Sequence, residues 1–232
     1  MTFAAITLDL DDTLWPIQPV IDRAEAELHR WLQQHAPATA QMFDVPGMRR
    51  LRDEVALDFP EKHHDFTWLR HRAIEQALCA AGDDMALTDA AFAHFFHWRQ
   101  QVVLYPDALP ALQALSARWP LMALTNGNAD LAVVGLADYF KAGILSARVF
   151  GLGKPHRAFF DAGCARLGVR PEQVLHVGDD WQLDVEGAHH AGLQAAWIQR
   201  EHHPDRPADS PVQPWFAGRS LIDLVSRLEA GL

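Results

Sequence analysis

The feature that most constrains this chain is a repeated change of texture: a short apolar run ends abruptly in polar residues, and a helical pattern follows. FAAITL at 3–8 leads into DLDD, LMALT at 121–125 into Asn126-Gly127, and QVLHVG at 173–178 into Asp179-Asp180. A weaker run, ILSARV at 144–149, precedes GLGKP, and LQAAWI at 193–198 completes the series. Short apolar runs bounded by turn signals read as buried strands, and stretches such as ALPALQALSAR and HRAFFDAGCARLG between them read as helices. This alternation predicts an α/β fold: a doubly wound parallel sheet with helices on both faces. Such sheets bind ligands beyond the carboxyl ends of their strands. The polar clusters are therefore expected to share one rim.

The first cluster poses an electrostatic problem. Asp9, Asp11 and Asp12 fall within four residues, and like charges a few ångströms apart repel by roughly 4 kcal/mol near a protein surface. Taken alone, DLDD could be a solvated acidic turn, and Thr125-Asn126-Gly127 an ordinary turn. Lys154 could be a surface residue, and Asp180 a helix cap. If the strands are neighbours, however, the carboxylates would share a divalent cation and Lys154 would add a further positive charge.

From Pro16 to about Tyr105 the pattern is helical instead. Ile21, Ala24, Leu28, Trp31 and Leu32 recur along one helix face, and a weaker helix runs through Met48, Leu51 and Val55. A third spans Phe66 to Leu78 and stops near Gly82. A fourth starts at Thr88 as N-cap and carries Phe92, Phe95, Phe96 and Val103. Four helices in series suggest a small bundle. The expected organisation is a core of 1–15 and 106–232 with a helical insertion at 16–105, hinged near Trp15-Pro16 and Tyr105-Pro106. The stretch EHHPDRPADSPVQP reads as loop, and SLIDLVSRLEAGL as a last helix.

Of the 232 residues, 20 are basic and 30 acidic, a formal net charge of -10. That balance disfavours a broad nucleic-acid-binding face but leaves room for a local anion pocket. Cys79 and Cys164 match no zinc or redox spacing. No basic stretch followed by a long apolar segment opens the chain, and no run approaches the roughly 18 apolar residues of a membrane span. A cytoplasmic protein without membrane or nucleic-acid partners is expected, with monomer and homodimer both open.

Together, DLDDT, Thr125-Asn126-Gly127, GLGKP and GDD with Asp184 beyond it resemble, in order, the four motifs of the haloacid dehalogenase (HAD) superfamily in its phosphatase branch. The helical block resembles the cap inserted between that superfamily's first two motifs. The resemblance implies that Asp9 is the nucleophile forming an aspartyl-phosphate, and that Asp11 is the general acid and base. Crowding by neighbouring carboxylates is expected to raise the pKa of Asp11 so that it can protonate a leaving oxygen. Thr125 and the amide of Asn126 would bind phosphoryl oxygens, and Lys154 would neutralise Asp9 and the phosphate. Mg2+ would be held by Asp9, the Asp11 carbonyl and Asp179, with Asp184 binding directly or through water. Dehalogenases of the superfamily lack an acidic residue at the position of Asp11, so its presence favours phosphate ester hydrolysis.

DLDDTLW, Arg50-Leu51-Arg52, HHDFTWLRHRAIEQAL, WPLMALTNGNA and LHVGDDWQLDVEGA are similar to bacterial phosphatases acting on flavin mononucleotide and on the phosphorylated ribitylaminouracil precursor of riboflavin. In the helical block, His63, His64, Asp65, Trp68, Arg72, Trp98 and Arg99 offer ring faces and hydrogen bonds for a planar heterocycle. Trp68, His64 and Arg72 are the candidate substrate contacts. Trp31 and Trp98 also fit bundle core, and His189-His190 fits a solvated helix face. Trp15 would line the site or pack the hinge. Alternatives are a phosphatase of other or broad specificity, on phosphoglycolate, nucleotides or sugar phosphates, a phosphomutase, and a catalytically silent binding protein.

Overall fold

The computed structural model describes residues 3–200 and 206–231; within EHHPDRPADSPVQP, 201–205 lie outside the described residues, as does the last residue of the final predicted helix. The chain divides into two compact units, Met1–Pro16 with Val103–Leu232, and Ile17–Val102.

The first unit is built on six parallel strands in the order β3-β2-β1-β4-β5-β6. They are β1 (Ala5–Leu8), β2 (Leu121–Thr125), β3 (Ile144–Ser146), β4 (Val174–Gly178), β5 (Gln194–Ile198) and β6 (Phe216–Gly218). β1, β2 and β4 are buried at every position, as their unbroken apolar runs require of strands covered on both faces. Strand order reverses at β1: β2 and β3 lie to one side, β4 to β6 to the other. That reversal is where doubly wound sheets place their ligands. Phe159, Phe160, Leu124, Trp181 and Trp197 anchor the apolar cluster of this unit.

One strand expectation differs from the structure, and one strand was not expected. The run at 144–149 stays extended only to Ser146, then forms a short helix, Ala147–Phe150, ended by Gly151 at φ 88°. Among the described residues β3 pairs with β2 alone, so no strand on its outer side holds the chain extended. β6 had no sequence signal, because Phe-Ala-Gly is too short to show alternation and borrows its place from β5. The final helix, Leu221–Glu229, is capped by Ser220, whose hydroxyl accepts from the amides of Ile222 and Asp223.

In the second unit the four predicted helices are present as α1 (Ile17–His35), α3 (Val45–Asp58), α4 (Phe66–Ala81) and α5 (Thr88–Arg99), with a short α2 (Pro37–Met42) after α1. α1 buries Val20, Ala24, Leu28 and Leu32 at a spacing of four, the last three clustered with Ile74, Leu78 and Phe95. Asp65 caps α4 by accepting from the Trp68 amide, and Gly82, at φ 78°, ends it in the left-handed region. Thr88 does not act as N-cap of α5; its hydroxyl donates to the Met85 carbonyl while Leu87 occupies the cap position. Val103 lies beyond the end of α5 and is exposed. Glu25 is buried between Arg70, at 2.8 Å, and Arg49, and the Arg70 guanidinium sits 4.4 Å over the Phe95 ring. Trp31 and Trp98 pack, half-buried, on the bundle cluster.

The insertion leaves after Pro16, and the chain rejoins the first unit at Val103, a little before the expected boundary. The Tyr105 amide donates to the Leu14 carbonyl at 2.9 Å, tying the outgoing and returning strands of backbone together. No helix among the described residues is long and apolar enough to cross a membrane.

Candidate active site

Three buried carboxylates, Asp9, Asp179 and Asp184, bring ligand oxygens within 4.8 Å of one another at the strand-order reversal. Each is placed by a local feature. Asp9 follows β1 directly, and its amide continues the ladder by donating to the Val177 carbonyl at 2.9 Å. Asp179 follows β4; one of its oxygens accepts from the Thr13 hydroxyl at 2.6 Å, and its carbonyl accepts from the Trp197 indole at 2.8 Å. Asp184 returns from the helical turn Trp181–Glu186, which opens with a wide bond from the Val185 amide to the Asp180 carbonyl. Wide turns of this kind gather at functional sites. Asp180 does cap that turn, accepting from the Leu183 amide.

Lys154 is buried among them, its Nζ donating to Asp9 Oδ1 at 2.5 Å and to Asp184 Oδ1 at 2.6 Å. Asn126 fixes it there: the side-chain amide donates to the Lys154 carbonyl at 2.9 Å while its oxygen accepts from the Lys154 amide at 2.8 Å. The Asn126 side chain is thus committed to the lysine loop. Gly153 makes this clasp possible, since a Cβ there would lie 2.3 Å from Asn126 Oδ1. Thr125, fully buried at the end of β2, accepts from the Gly127 amide at 2.9 Å.

The DLDDT loop turns sharply, with Asp12 at φ 60° and its amide donating to the Trp15 carbonyl at 2.7 Å. Trp15 is fully buried, and its indole donates to Asp11 Oδ1 at 2.8 Å. Trp15 therefore holds the Asp11 carboxylate. Sequence reasoning had left its role open.

Lys154 is bonded to two of the three clustered carboxylates, Asp9 and Asp184. Burial pushes the Asp9 carboxyl well above the usual carboxylate range; Asp184 and Asp179 push the same way, and Lys154 opposes them. Burial acts likewise on Asp184, but Lys154 and the His176 hydrogen bond outweigh it and leave that group below the usual range. Burial would lower the Lys154 ammonium, yet Asp184 and Asp9 hold it above its ordinary value. Three buried carboxylates with oxygens this close form an all-oxygen set that fits a hard divalent cation.

Sequence reading did not single out His176 or Thr13, both buried beside these carboxylates. The signal available for Thr13 was its place in DLDDT; for His176 there was none beyond a polar residue inside a strand.

The candidate substrate residues of the helical unit are described within that unit. Trp68 is half-buried, edge-on to Phe59 with ring centroids 5.0 Å apart, and Lys62 Nζ lies 5.7 Å from its ring. Arg72 pairs with Glu75 one helical turn on, and His64 is partly exposed. His189 and His190 are exposed, as a solvated face requires.

This arrangement defines a class, and comparison with known proteins agrees. The family pattern of the haloacid dehalogenase-like hydrolases matches residues 3–192. A 5-amino-6-(5-phospho-D-ribitylamino)uracil phosphatase of Escherichia coli K12 is 39% identical over 203 residues, covering 86% of this chain and 84% of its own. A phosphoserine phosphatase of Thermus thermophilus is 36% identical over 148 residues, 61% of this chain and 59% of that one. A crystal structure described as a 2-haloacid dehalogenase from Pseudomonas syringae pv. tomato DC3000 superposes with a TM-score of 0.90 at 35% identity, over 99% of both chains. The chain belongs to the haloacid dehalogenase-like hydrolase family, and within it to the phosphatases.

Proposed function

We propose that this protein is a magnesium-dependent phosphatase hydrolysing a small phosphomonoester through an aspartyl-phosphate on Asp9. The proposed substrate is flavin mononucleotide or the phosphorylated ribitylaminouracil precursor of riboflavin. The observation that carries the reading is the Lys154 ammonium buried between Asp9 and Asp184, with Asp179 completing a three-carboxylate set. The substrate assignment is supported by the 39% identity to the Escherichia coli enzyme over most of both chains.

In the first step Asp9 attacks phosphorus, and the bond to the leaving oxygen breaks as Asp11 gives that oxygen its proton. In the second, Asp11 takes a proton from a water attacking the same phosphorus, releasing inorganic phosphate and the free Asp9 carboxylate. The Thr125 hydroxyl and the Asn126 amide hold phosphoryl oxygens, and Lys154 neutralises charge on them. The Trp15 indole keeps Asp11 in one orientation, which a group acting twice at the same centre needs. Asp9, the backbone carbonyl of Asp11, Asp179 and Asp184 would hold Mg2+, which supplies positive charge at the phosphoryl oxygens when bound. Trp68, His64 and Arg72 of the helical unit are the proposed substrate contacts. The enzyme works in the cytoplasm.

A second reading, hydrolytic dehalogenation, is favoured by the Pseudomonas syringae structure. Asp11 argues against it, because halide leaves without a proton. The test is a panel with Mg2+: flavin mononucleotide, the ribitylaminouracil phosphate, phosphoglycolate, sugar phosphates and 2-chloropropionate, reading phosphate and halide, with Asp9→Asn as control. Preferential release of phosphate from the flavin-type esters, lost in Asp9→Asn, supports the reading. Halide release without phosphate release would sink it, and cleavage of other esters through Asp9 would remove only the substrate assignment.

A further inference from the structure

His176 lies in the middle of β4, fully buried, with its ring edge-on to Phe160 at 5.1 Å. A histidine there could simply fill core, but both of its ring nitrogens have partners. Nδ1 is 2.9 Å from the Thr7 hydroxyl, and Nε2 is 3.0 Å from Asp184 Oδ1. The sheet dictates this meeting. Thr7 and His176 are register partners on the adjacent parallel strands β1 and β4, and their side chains share the face that Asp9 and Gly178, two residues further on, also occupy. Gly178 leaves the space into which Asp184 folds back: a Cβ there would lie 2.2 Å from Asp184 Cγ.

The donors and acceptors allow one assignment. An ionised carboxylate only accepts, so Nε2 carries the proton that Asp184 receives. Asp184 Oδ1 already receives the Lys154 ammonium at 2.6 Å, and a second cation buried against the same oxygen is disfavoured, so the fully buried ring is neutral. Nδ1 is then an acceptor, and the Thr7 hydroxyl, free to rotate, donates to it. Asp184 is thereby nearly saturated. Oδ1 takes Lys154 and His176, and Oδ2 takes the Asp180 amide at 3.0 Å. Of about four acceptor positions on a carboxylate, one on Oδ2 remains for a cation or its water.

We infer that His176 is a positioning residue of the phosphatase centre: fixed as its Nε2–H tautomer by the Thr7 hydroxyl, it orients Asp184 so that Oδ1 serves Lys154 and Oδ2 serves the cation. The inference rests on the functional reading above. It assigns Thr7, two positions before the proposed nucleophile, a role in metal affinity.

The test compares wild type with Thr7→Val, which keeps the side-chain shape, Thr7→Ser, which restores the hydroxyl, and His176→Leu. Nitrogen NMR of the His176 ring, without metal, reads the tautomer. Calorimetry with Mg2+ alone reads the dissociation constant, and thermal unfolding in chelator confirms that each variant folds. Expected are an Nε2–H ring in wild type and Thr7→Ser, a mixed or altered ring in Thr7→Val, and Mg2+ binding weakened about 10-fold in Thr7→Val and 10- to 100-fold in His176→Leu, recovering in Thr7→Ser. An Nδ1–H or cationic ring in wild type overturns the inference, as do equal Mg2+ constants across folded variants. A wild type that binds no Mg2+ overturns the functional reading itself.

Discussion

Replacing Lys154 by Met separates two things the lysine does, and the structure gives each a sign. The ammonium is buried and bonded to two buried carboxylates, at 2.5 Å and 2.6 Å. Removing one partner of a buried ion pair costs about 3–5 kcal/mol, because the other charge stays behind uncompensated. Here three carboxylates remain with oxygens within 4.8 Å of one another. At the effective dielectric of protein sites each such pair repels by roughly 3 kcal/mol. At roughly 2–4 °C per kcal/mol for a chain of this size, Lys154→Met should unfold about 10 °C below wild type in chelator. Mg2+ should reverse most of that loss and bind more tightly than in wild type, since no ammonium competes for the same oxygens. Turnover should nevertheless fall at least about 100-fold, because a charge that stabilises the phosphoryl oxygens has gone. The assays are thermal unfolding with chelator and with Mg2+, calorimetry of Mg2+ binding, and phosphate release. Unchanged stability in chelator, or Mg2+ binding weaker than in wild type, would refute the electrostatic account.

Other outcomes follow from the same geometry. Gly178→Ala puts a Cβ 2.2 Å from Asp184 Cγ; it should cost about 1–3 kcal/mol in chelator and weaken Mg2+ binding about 10-fold, by unfolding and calorimetry. Asp9 has a raised pKa in the folded protein, so between the ordinary value of about 3.9 and that raised value the native state binds the extra proton, and metal-free stability falls as pH rises. Mg2+ must displace that proton, so its stabilising effect should be larger near pH 8 than near pH 5, a difference lost in Asp9→Asn. His176 has a lowered pKa, so its contribution is present at neutral pH and is lost as pH falls below about 6.5, where the unfolded chain protonates first. Trp68→Ala should blur discrimination among phosphate esters while sparing a small generic ester; equal losses on both would remove Trp68 as a substrate contact.

Much of the architecture was legible because the physics that sets it is local. LMALT and VLHVG read as strands buried on both faces, and the four-residue rhythm of Ala24, Leu28 and Leu32 as a helix face. The misplaced elements are those decided by neighbours. The run at 144–149 bends into a helix because β3 is an edge, and Phe216–Gly218 is a strand only because β5 lies beside it. Thr88 looked like a cap, but its hydroxyl turns to the Met85 carbonyl. In the site, Asp9, Asp179, Asp184 and Lys154 could be read as one group because each follows a strand of the same sheet. The supporting contacts could not. Thr7 and His176 are 169 positions apart and look like ordinary strand residues until register pairs them. The Asn126 clasp on Lys154 likewise spans two loops that only the fold brings together.

The central claim is that Asp9 carries the phosphoryl group. The direct measurement is mass spectrometry of acid-quenched Asp11→Asn during turnover of p-nitrophenyl phosphate, an ester whose leaving group needs no proton. Without Asp11 to activate water, the intermediate should persist, and one phosphoryl group should appear on the peptide containing Asp9 and vanish in Asp9→Asn. Phosphate release by the wild type, with no phosphoryl group on Asp9 in the quenched variant or with one on another residue, would contradict the account.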